Sequence, residues 1–323
     1  MATILVTGVA GFIGSAVAKA LLEKGDEVIG IDNVNDYYDP KLKEARLKHF
    51  FKKDDAFTFY REDFSVLEKM DEIFQKHKID KICHLGAQAG VRYSLENPFA
   101  YIKSNINGTL NIFELARKYK IKTVIYASSS SVYGGNEKTP FSTEDRVDKP
   151  ISLYAATKRT DELMAYTYHH LFGIKMTGLR FFTVIGPWGR PDMALFKFIK
   201  AILNNEPIDV YNFGKMKRDF TFITDIVSGV LSALGKESEC EIFNLGNNNT
   251  VELNYFIECI EKELGKKAEK KLLPLQPGDV PETFADIGSS KEKLNFNPKV
   301  KIEEGIKMFI EWYKEYHKVT SNG

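Results

Sequence analysis

Short apolar runs alternate along the chain with longer stretches in which apolar residues recur every three or four positions. The first run, residues 3–7, reads as a short buried strand. It leads into Gly8-Val9-Ala10-Gly11-Phe12-Ile13-Gly14, after which Val17, Ala20 and Leu21 fall on helical spacing and Gly25 supplies a stop. Further strands are expected at residues 27–31, 57–60, 81–85, 123–127 and 175–179. A long helix is expected at residues 99–119, and another from Tyr154 to about Phe172, with Gly173 as its stop. Residues 136–150 are polar and contain two prolines, which predicts a loop or lid. Beyond residue 180 the pattern predicts a loop over residues 181–187, helices over 194–204, 251–264 and 302–316, and a strand end at 243–246. The charge run Lys266-Lys267-Ala268-Glu269-Lys270-Lys271 reads as a solvated face, and the tail to Gly323 as frayed.

Strand, glycine turn and helix in succession is the context of a dinucleotide fingerprint, here spaced Gly-x-x-Gly-x-x-Gly. Gly8 permits the tight turn, Gly11 lets the backbone approach a pyrophosphate, and Gly14 lets helix and strand pack closely. The helix amino terminus then offers N–H groups and positive dipole to phosphates. The second strand ends in Asp32, 18 positions after Gly14, near the separation of a ribose-binding acid. A carboxylate there accepts from a 2′-OH and repels a 2′-phosphate, so NAD is expected rather than NADP; a plain Asp-Asn turn is the alternative. Asp63 suits either an adenine amino group or an ordinary turn. Gly86-Ala87-Gln88-Ala89-Gly90 keeps a strand end small enough to lie against a flat cofactor. Ser128-Ser129-Ser130-Ser131 places four hydroxyls at the carboxyl end of a strand, where open α/β sheets bind ligands, or else forms a solvated turn. Tyr154 and Lys158 lie four residues apart, on one face of the predicted helix. An ammonium beside a phenol stabilises the phenolate, and such a tyrosine can take a proton from an alcohol. The fold class expected is α/β. A Rossmann-type doubly wound parallel sheet spans residues 1–180, segments near 210–250 return to it, and a smaller α/β substrate-binding domain fills most of residues 181–323.

Composition narrows the partners. The 323 residues suffice for one large α/β domain or two smaller ones. Lys and Arg total 45 against 44 Asp and Glu, a net charge of +1, which argues against nucleic acid or a membrane surface held by net charge. Three cysteines, Cys83, Cys240 and Cys259, share no metal-ligand spacing and six histidines form no metal set, so no metal is expected. Sparse cysteines fit reduced thiols in a cytoplasmic protein, with Cys83 packed in the core. No apolar run approaches a membrane span, and the chain enters its first strand without a basic leader.

The glycine turn, the serine strand end and the Tyr154–Lys158 pair together resemble the extended short-chain dehydrogenase/reductases over nearly the whole chain. Within them, Asp32-Asn33-Val34-Asn35-Asp36-Tyr37-Tyr38-Asp39, the serine run and Arg180-Phe181-Phe182-Thr183-Val184-Ile185-Gly186-Pro187-Trp188-Gly189-Arg190-Pro191-Asp192-Met193 are similar to nucleotide-sugar epimerases acting on UDP-glucuronate. The resemblance implies that Tyr154 is base and acid at the sugar O4, that Lys158 binds the nicotinamide ribose, and that Ser129 hydrogen-bonds O4. It implies NAD contacts from Gly8, Gly11, Phe12, Ile13, Gly14, Asp32, Asn33, Asn35, Asp63, Phe64, Leu85, Ala87, Gln88 and Asn105. Arg218, preceding a segment that resembles the family's interdomain connection, would clamp the nucleotide diphosphate; a surface arginine is the alternative. Gln276-Pro277-Gly278-Asp279 resembles a substrate loop in which Asp279 meets the uridine ribose. The galactose epimerases place an arginine where Gln276 stands, which leaves open how the diphosphate is held on this side. A homodimer is implied, pairing the helix before Tyr119 with the Tyr154 helix through residues such as Phe113, Leu163 and Tyr166, which a monomer core would explain equally.

The implied reaction is epimerisation at C4 of a UDP-hexuronate with NAD held throughout. Oxidation at C4 makes the sugar a β-keto acid, so the C6 carboxylate must be oriented against loss of carbon dioxide; Arg190, Ser129, Ser130 and Thr183 are the candidates. A 4,6-dehydratase would need a carboxylate near the serine run, and residues 128–132 contain none. A decarboxylase, a UDP-galactose epimerase needing no carboxylate clamp, and a nonenzymatic NAD sensor remain the competing readings.

Overall fold

A computed structural model describes every residue except 53, 54, 277 and 320–323; Pro277 and the tail expected to fray lie outside the described residues. Strand β1 (Thr3–Thr7) is buried over four of its five residues and lies between β2 (Glu27–Ile31) and β4 (Lys81–His84), parallel to both. The sheet continues outward through β3 (Phe57–Tyr60) on one side, and through β5 (Thr123–Ser129), β6 (Lys175–Phe181) and β10 (Cys240–Leu245) on the other. All neighbouring strands in this seven-stranded sheet are parallel. Helices cover both faces, which is why the strands read as apolar runs and not as alternation. On one face α1 (Phe12–Glu23), α9 (Ile223–Lys236) and α11 (Gly288–Leu294) pack around Val17, Ile226 and Leu294. On the other, α3 (Leu67–Lys76), α6 (Thr109–Lys118) and α7 (Leu153–Phe172) pack around Ile73, Ile112 and Ala165. Cys83 is fully buried in β4, and burial pushes its thiol up to about 12. Strand order reverses between β1 and β4, and such a reversal opens a ligand crevice at the carboxyl ends.

A second body stands over that crevice. Strands β7 (Thr183–Ile185), β9 (Lys217–Phe222) and β11 (Thr250–Glu252) form a three-stranded sheet, and β8 (Ile208–Tyr211) pairs with β12 (Lys270–Leu273). Helices α8 (Ala194–Leu203), α10 (Leu253–Leu264) and α12 (Ile302–His317) close its core around Ile199, Phe256 and Phe309.

The structure refines several local expectations. Residues 181–187 are not simply a loop: β7 pairs in parallel with β9, a partner more than 30 residues away that no local pattern announces. The charge run is a solvated face as expected, and part of it is also a strand: the exposed Lys270 and Lys271 open β12, while Lys267 stays in solvent paired with Glu261. Residues 136–150 form the expected loop but not a lid, since none of them lines the cavity described below. Phe141 is buried, stacks on Tyr133 at 4.7 Å, and its N–H donates to Phe284 O at 2.7 Å, so the core draws this polar segment down. The long helix at 99–119 is also subdivided. After α4 (Tyr93–Glu96) come α5 (Pro98–Tyr101), a π-helical turn over Ile102–Gly108, and α6. Such widened turns frequently mark functional sites. This one carries the fully buried Asn105.

Candidate active site

A cavity of about 960 Å³ crosses the carboxyl ends of β1, β2, β4 and β5 and is roofed by α8, β8 and β9. Its dinucleotide end is shaped by absent side chains. A Cβ on Gly14 would come within 2.1 Å of Gly8 O, and one on Gly8 within 2.7 Å of Gly86 Cα. Gly8 also has φ +71°, open to glycine at little cost. Backbone therefore reaches the cavity where a pyrophosphate would lie, and α1 starts directly beyond it at Phe12. Asp32 directly follows β2, with its Oδ2 accepting from Ala10 N at 3.0 Å and Oδ1 from Val34 N at 2.8 Å. Burial raises its carboxyl, against the pull of those bonds and of Lys43 and Arg46. The glycine cradle and this acid fit a dinucleotide.

Phe12, Ile13, Asn33, Asn35, Phe64, Leu85, Ala87 and Gln88 line the same cavity. Asp63 and Asn105 stand behind the wall. Asp63 accepts from Ser65 N and Oγ and from Lys103 Nζ at 2.8 Å. Asn105 Oδ1 accepts from Gln88 N at 2.8 Å, and its Nδ2 donates to Gln88 O at 3.1 Å and Thr157 Oγ1 at 2.9 Å, pinning the Gln88 segment to α7.

The reactive end gathers three elements. Ser152 caps α7 by accepting from Ala155 N at 3.1 Å, and Gly173 at φ +63° ends the helix. This fixes the turn that presents Tyr154 and Lys158 to the cavity. Lys158 is 2 % exposed, and its ammonium donates to Ala127 O at 2.9 Å and Asp161 Oδ2 at 3.0 Å. Ser129 ends β5 and its hydroxyl donates to Ser131 Oγ at 3.1 Å. Ser128 commits its hydroxyl to Glu162 Oε1, donating at 2.6 Å. Ser129, Ser130 and Thr183 line the cavity beside Tyr154.

Arg190 also lines the cavity. Its Nε and Nη2 are held by the Asp192 carboxylate at 2.9 and 2.5 Å, and Tyr37 O–H donates to Asp192 at 3.2 Å. Burial works against the guanidinium charge, but Asp192 outweighs it and holds Arg190 protonated. Tyr37 and Asp192 were not singled out by the sequence, because 155 positions separate them. Arg46 is a further such residue. Fully buried, it donates to Trp188 O at 2.7 Å and Ala10 O at 3.0 Å, tying the loop at Trp188 to the glycine turn.

At the far end Arg218 donates to Pro281 O at 3.2 Å, and Arg92 pairs with Asp279 at 3.0 Å while lying 4.5 Å from the Tyr211 ring centroid. Arg218, Arg92, Asp279 and Tyr211 line the cavity. Arg92 and Tyr211 carry no local signal, yet together with Arg218 they bring two guanidinium groups and an aromatic face to the end where Gln276 left one arginine missing.

The profile of the GDP-mannose 4,6 dehydratase family matches residues 5–309. The chain is 60% identical over 314 residues to an uncharacterised protein of Methanocaldococcus jannaschii, covering 97% of this chain and 96% of that one. It is 47% identical over 312 residues to a UDP-glucuronate 4-epimerase of Thermodesulfobacterium geofontis, covering 96% of each. A UDP-glucuronic acid 4-epimerase of Bacillus cereus, solved with UDP-glucuronic acid and NAD, superposes with a TM-score of 0.90 at 35% identity, covering 97% of this chain and 99% of that one.

Proposed function

The chain belongs to the GDP-mannose 4,6 dehydratase family, and from that premise we propose that it interconverts UDP-glucuronate and UDP-galacturonate by epimerisation at C4, with NAD as bound cofactor. The observation that carries this reading is the cationic Arg190 in the same cavity as Tyr154 and the serine run. A hexuronate brings a carboxylate that a neutral hexose lacks.

Gly8, Gly11 and Gly14 hold the pyrophosphate of NAD, and Asp32 its adenosine ribose. When bound, NAD supplies a reversible two-electron oxidation at C4 of the sugar. Tyr154 takes the proton from O4 and returns it to the same oxygen once the 4-keto sugar has turned its other face toward the cofactor. Ser129 holds O4 in line with the phenol, and Lys158 lends its charge to the phenolate. Arg92, Arg218 and Tyr211 hold the uridine diphosphate while the 4-keto sugar turns, and Asp279 takes the uridine ribose. Among the described residues Arg190 Nη1 has no protein partner, so it remains for the C6 carboxylate together with Ser130 and Thr183. Fixing that carboxylate suppresses decarboxylation of the β-keto acid. The dehydratase alternative fits less well, because the carboxylate bonded to the serine run, Glu162, has both oxygens engaged by Arg180.

Purified protein given UDP-glucuronate should yield UDP-galacturonate to a stable ratio without carbon dioxide or a UDP-pentose, as resolved by chromatography. Turnover of UDP-glucose alone, or pentose formation by the parent, would overturn the reading. Arg190→Ala should lower kcat/KM on UDP-glucuronate by about 100-fold, as loss of a charge-assisted carboxylate contact in a confined site does, and should release measurable pentose.

A second copy of this chain covers the outer face of α5, the π-helical turn, α6 and α7. Phe99 is 81 % exposed there, with Ile102, Leu110, Leu163 and Tyr166 also exposed on these packed helices. Phe113 belongs to the monomer core instead, at 0 % exposure. Phe99→Glu combined with Leu163→Glu should shift the species seen by light scattering from twice the chain mass to once.

A further inference from the structure

Three residues along α7 from Lys158 lies Asp161, 1 % exposed. Burying two charges is unfavourable unless each does something for the other. An ammonium has three N–H groups. Ala127 O takes one at 2.9 Å and Asp161 Oδ2 another at 3.0 Å, which leaves one for the cavity. The Thr109 hydroxyl stands beside the carboxylate, His84 Nε2 engages that hydroxyl at 3.1 Å, and His84 Nδ1 engages Thr7 Oγ1 at 2.7 Å. Buried polar groups of β1, β4 and α6 thus lie beside the pair, and Asp161 Oδ1 has no hydrogen-bond partner among the described residues.

The charges around Asp161 are few. Lys158 and Glu162 face it from α7, and Tyr126 from β5. Arg180 of β6 is spent on Glu162. Burial, with Lys158 nearby, pushes His84 of β4 down to about 3, so it stays neutral. Burial pushes Asp161 up to about 6, against the pull of Lys158.

We propose that Asp161 is a positioning residue: it holds the Lys158 ammonium in place, and its negative charge sets the pH at which Tyr154 gives up its proton. This rests on Tyr154 as the base but not on which sugar is turned over. The sign follows from the charges. Asp161 partly cancels the field that Lys158 exerts on the phenol. Asp161→Asn keeps an oxygen for Lys158 but removes the cancelling charge, so the phenolate forms at lower pH. Asp161→Leu removes the acceptor and leaves the ammonium unanchored.

The test is an ultraviolet phenolate titration of NAD-loaded protein, read as the difference between the parent and Tyr154→Phe and repeated in the Asp161→Asn background. It needs no substrate. The Tyr154 midpoint should fall by about one pH unit, and the acid limb of kcat/KM should move with it. Asp161→Leu should lower kcat more than about tenfold with KM little changed, as a defect in orienting a proton-transfer group does. Thr109→Val strips the carboxylate of a hydroxyl that favours its charge, so it should move the midpoint in the same direction by less; it serves if Asp161→Asn does not fold. An unmoved midpoint in both variants overturns the proposal. A parent that shows the phenolate shift but does not convert UDP-glucuronate overturns the substrate assignment instead.

Discussion

Tyr154→Phe should cut kcat on UDP-glucuronate by about a thousandfold, with bound NAD and melting temperature unchanged. In the proposed mechanism the phenol oxygen takes and returns the O4 proton, and Ser129 cannot replace it because an unactivated hydroxyl is a far weaker base. The substitution leaves the scaffold alone. Tyr154 is the second residue of a capped helix, its ring meets Tyr101 edge-on at 6.0 Å, and Phe preserves that contact. The measurements are product resolved by chromatography, nucleotide released on denaturation, and a thermal melt. A variant with near-parent turnover and full NAD content would remove Tyr154 from the mechanism.

Arg180→Met should destabilise the protein by about 3–5 kcal/mol, the range seen when one partner of a buried ion pair is removed. Arg180 and Glu162 are both buried and join through two bonds at 2.8 and 2.9 Å. Arg180 also donates to Tyr133 O–H at 3.0 Å. Without Arg180, Glu162 keeps Ser128 and Arg159 but loses its main countercharge inside the sheet–helix interface. Arg180→Met with Glu162→Leu should recover much of the loss, since no charge is then stranded. Burial alone would raise the Glu162 carboxyl, but Arg180, Ser128 and Arg159 outweigh it and hold the group below the ordinary range. A folded pKa below the unfolded one contributes stability that is complete above the unfolded value and lost as pH falls through the folded value. The stability gap between parent and Arg180→Met, read from urea melts, should therefore be widest near neutrality and close in acid. A gap that is flat with pH would assign the loss to packing alone.

The parts of the site legible in the sequence are those whose members are near neighbours in the chain. Gly8, Gly11 and Gly14 declare a turn because sterics there exclude a Cβ, whatever surrounds it. Tyr154 and Lys158 declare one face of a helix because the helical period places them there, between a Ser152 cap and a Gly173 stop. Asp32 is legible because a strand of known length ends beside it. The same locality explains the failures. Phe141, set in a polar segment, looks like part of a lid until the core claims it.

Sequence alone determined the placing of the phenol one helical turn from the ammonium, the glycine turn and the class of sheet, since bond geometry and periodicity act over a few residues. Tertiary structure decided which distant groups complete the site. Arg92 meets Asp279 across 187 positions, Tyr37 meets Asp192 across 155, and β7 finds β9 as its partner. Closing loops of that length costs chain entropy that no local propensity offsets. The burial of several cores at once offsets it, so the half of the cavity lined by Arg92, Arg190 and Arg218 exists only once the whole chain has folded.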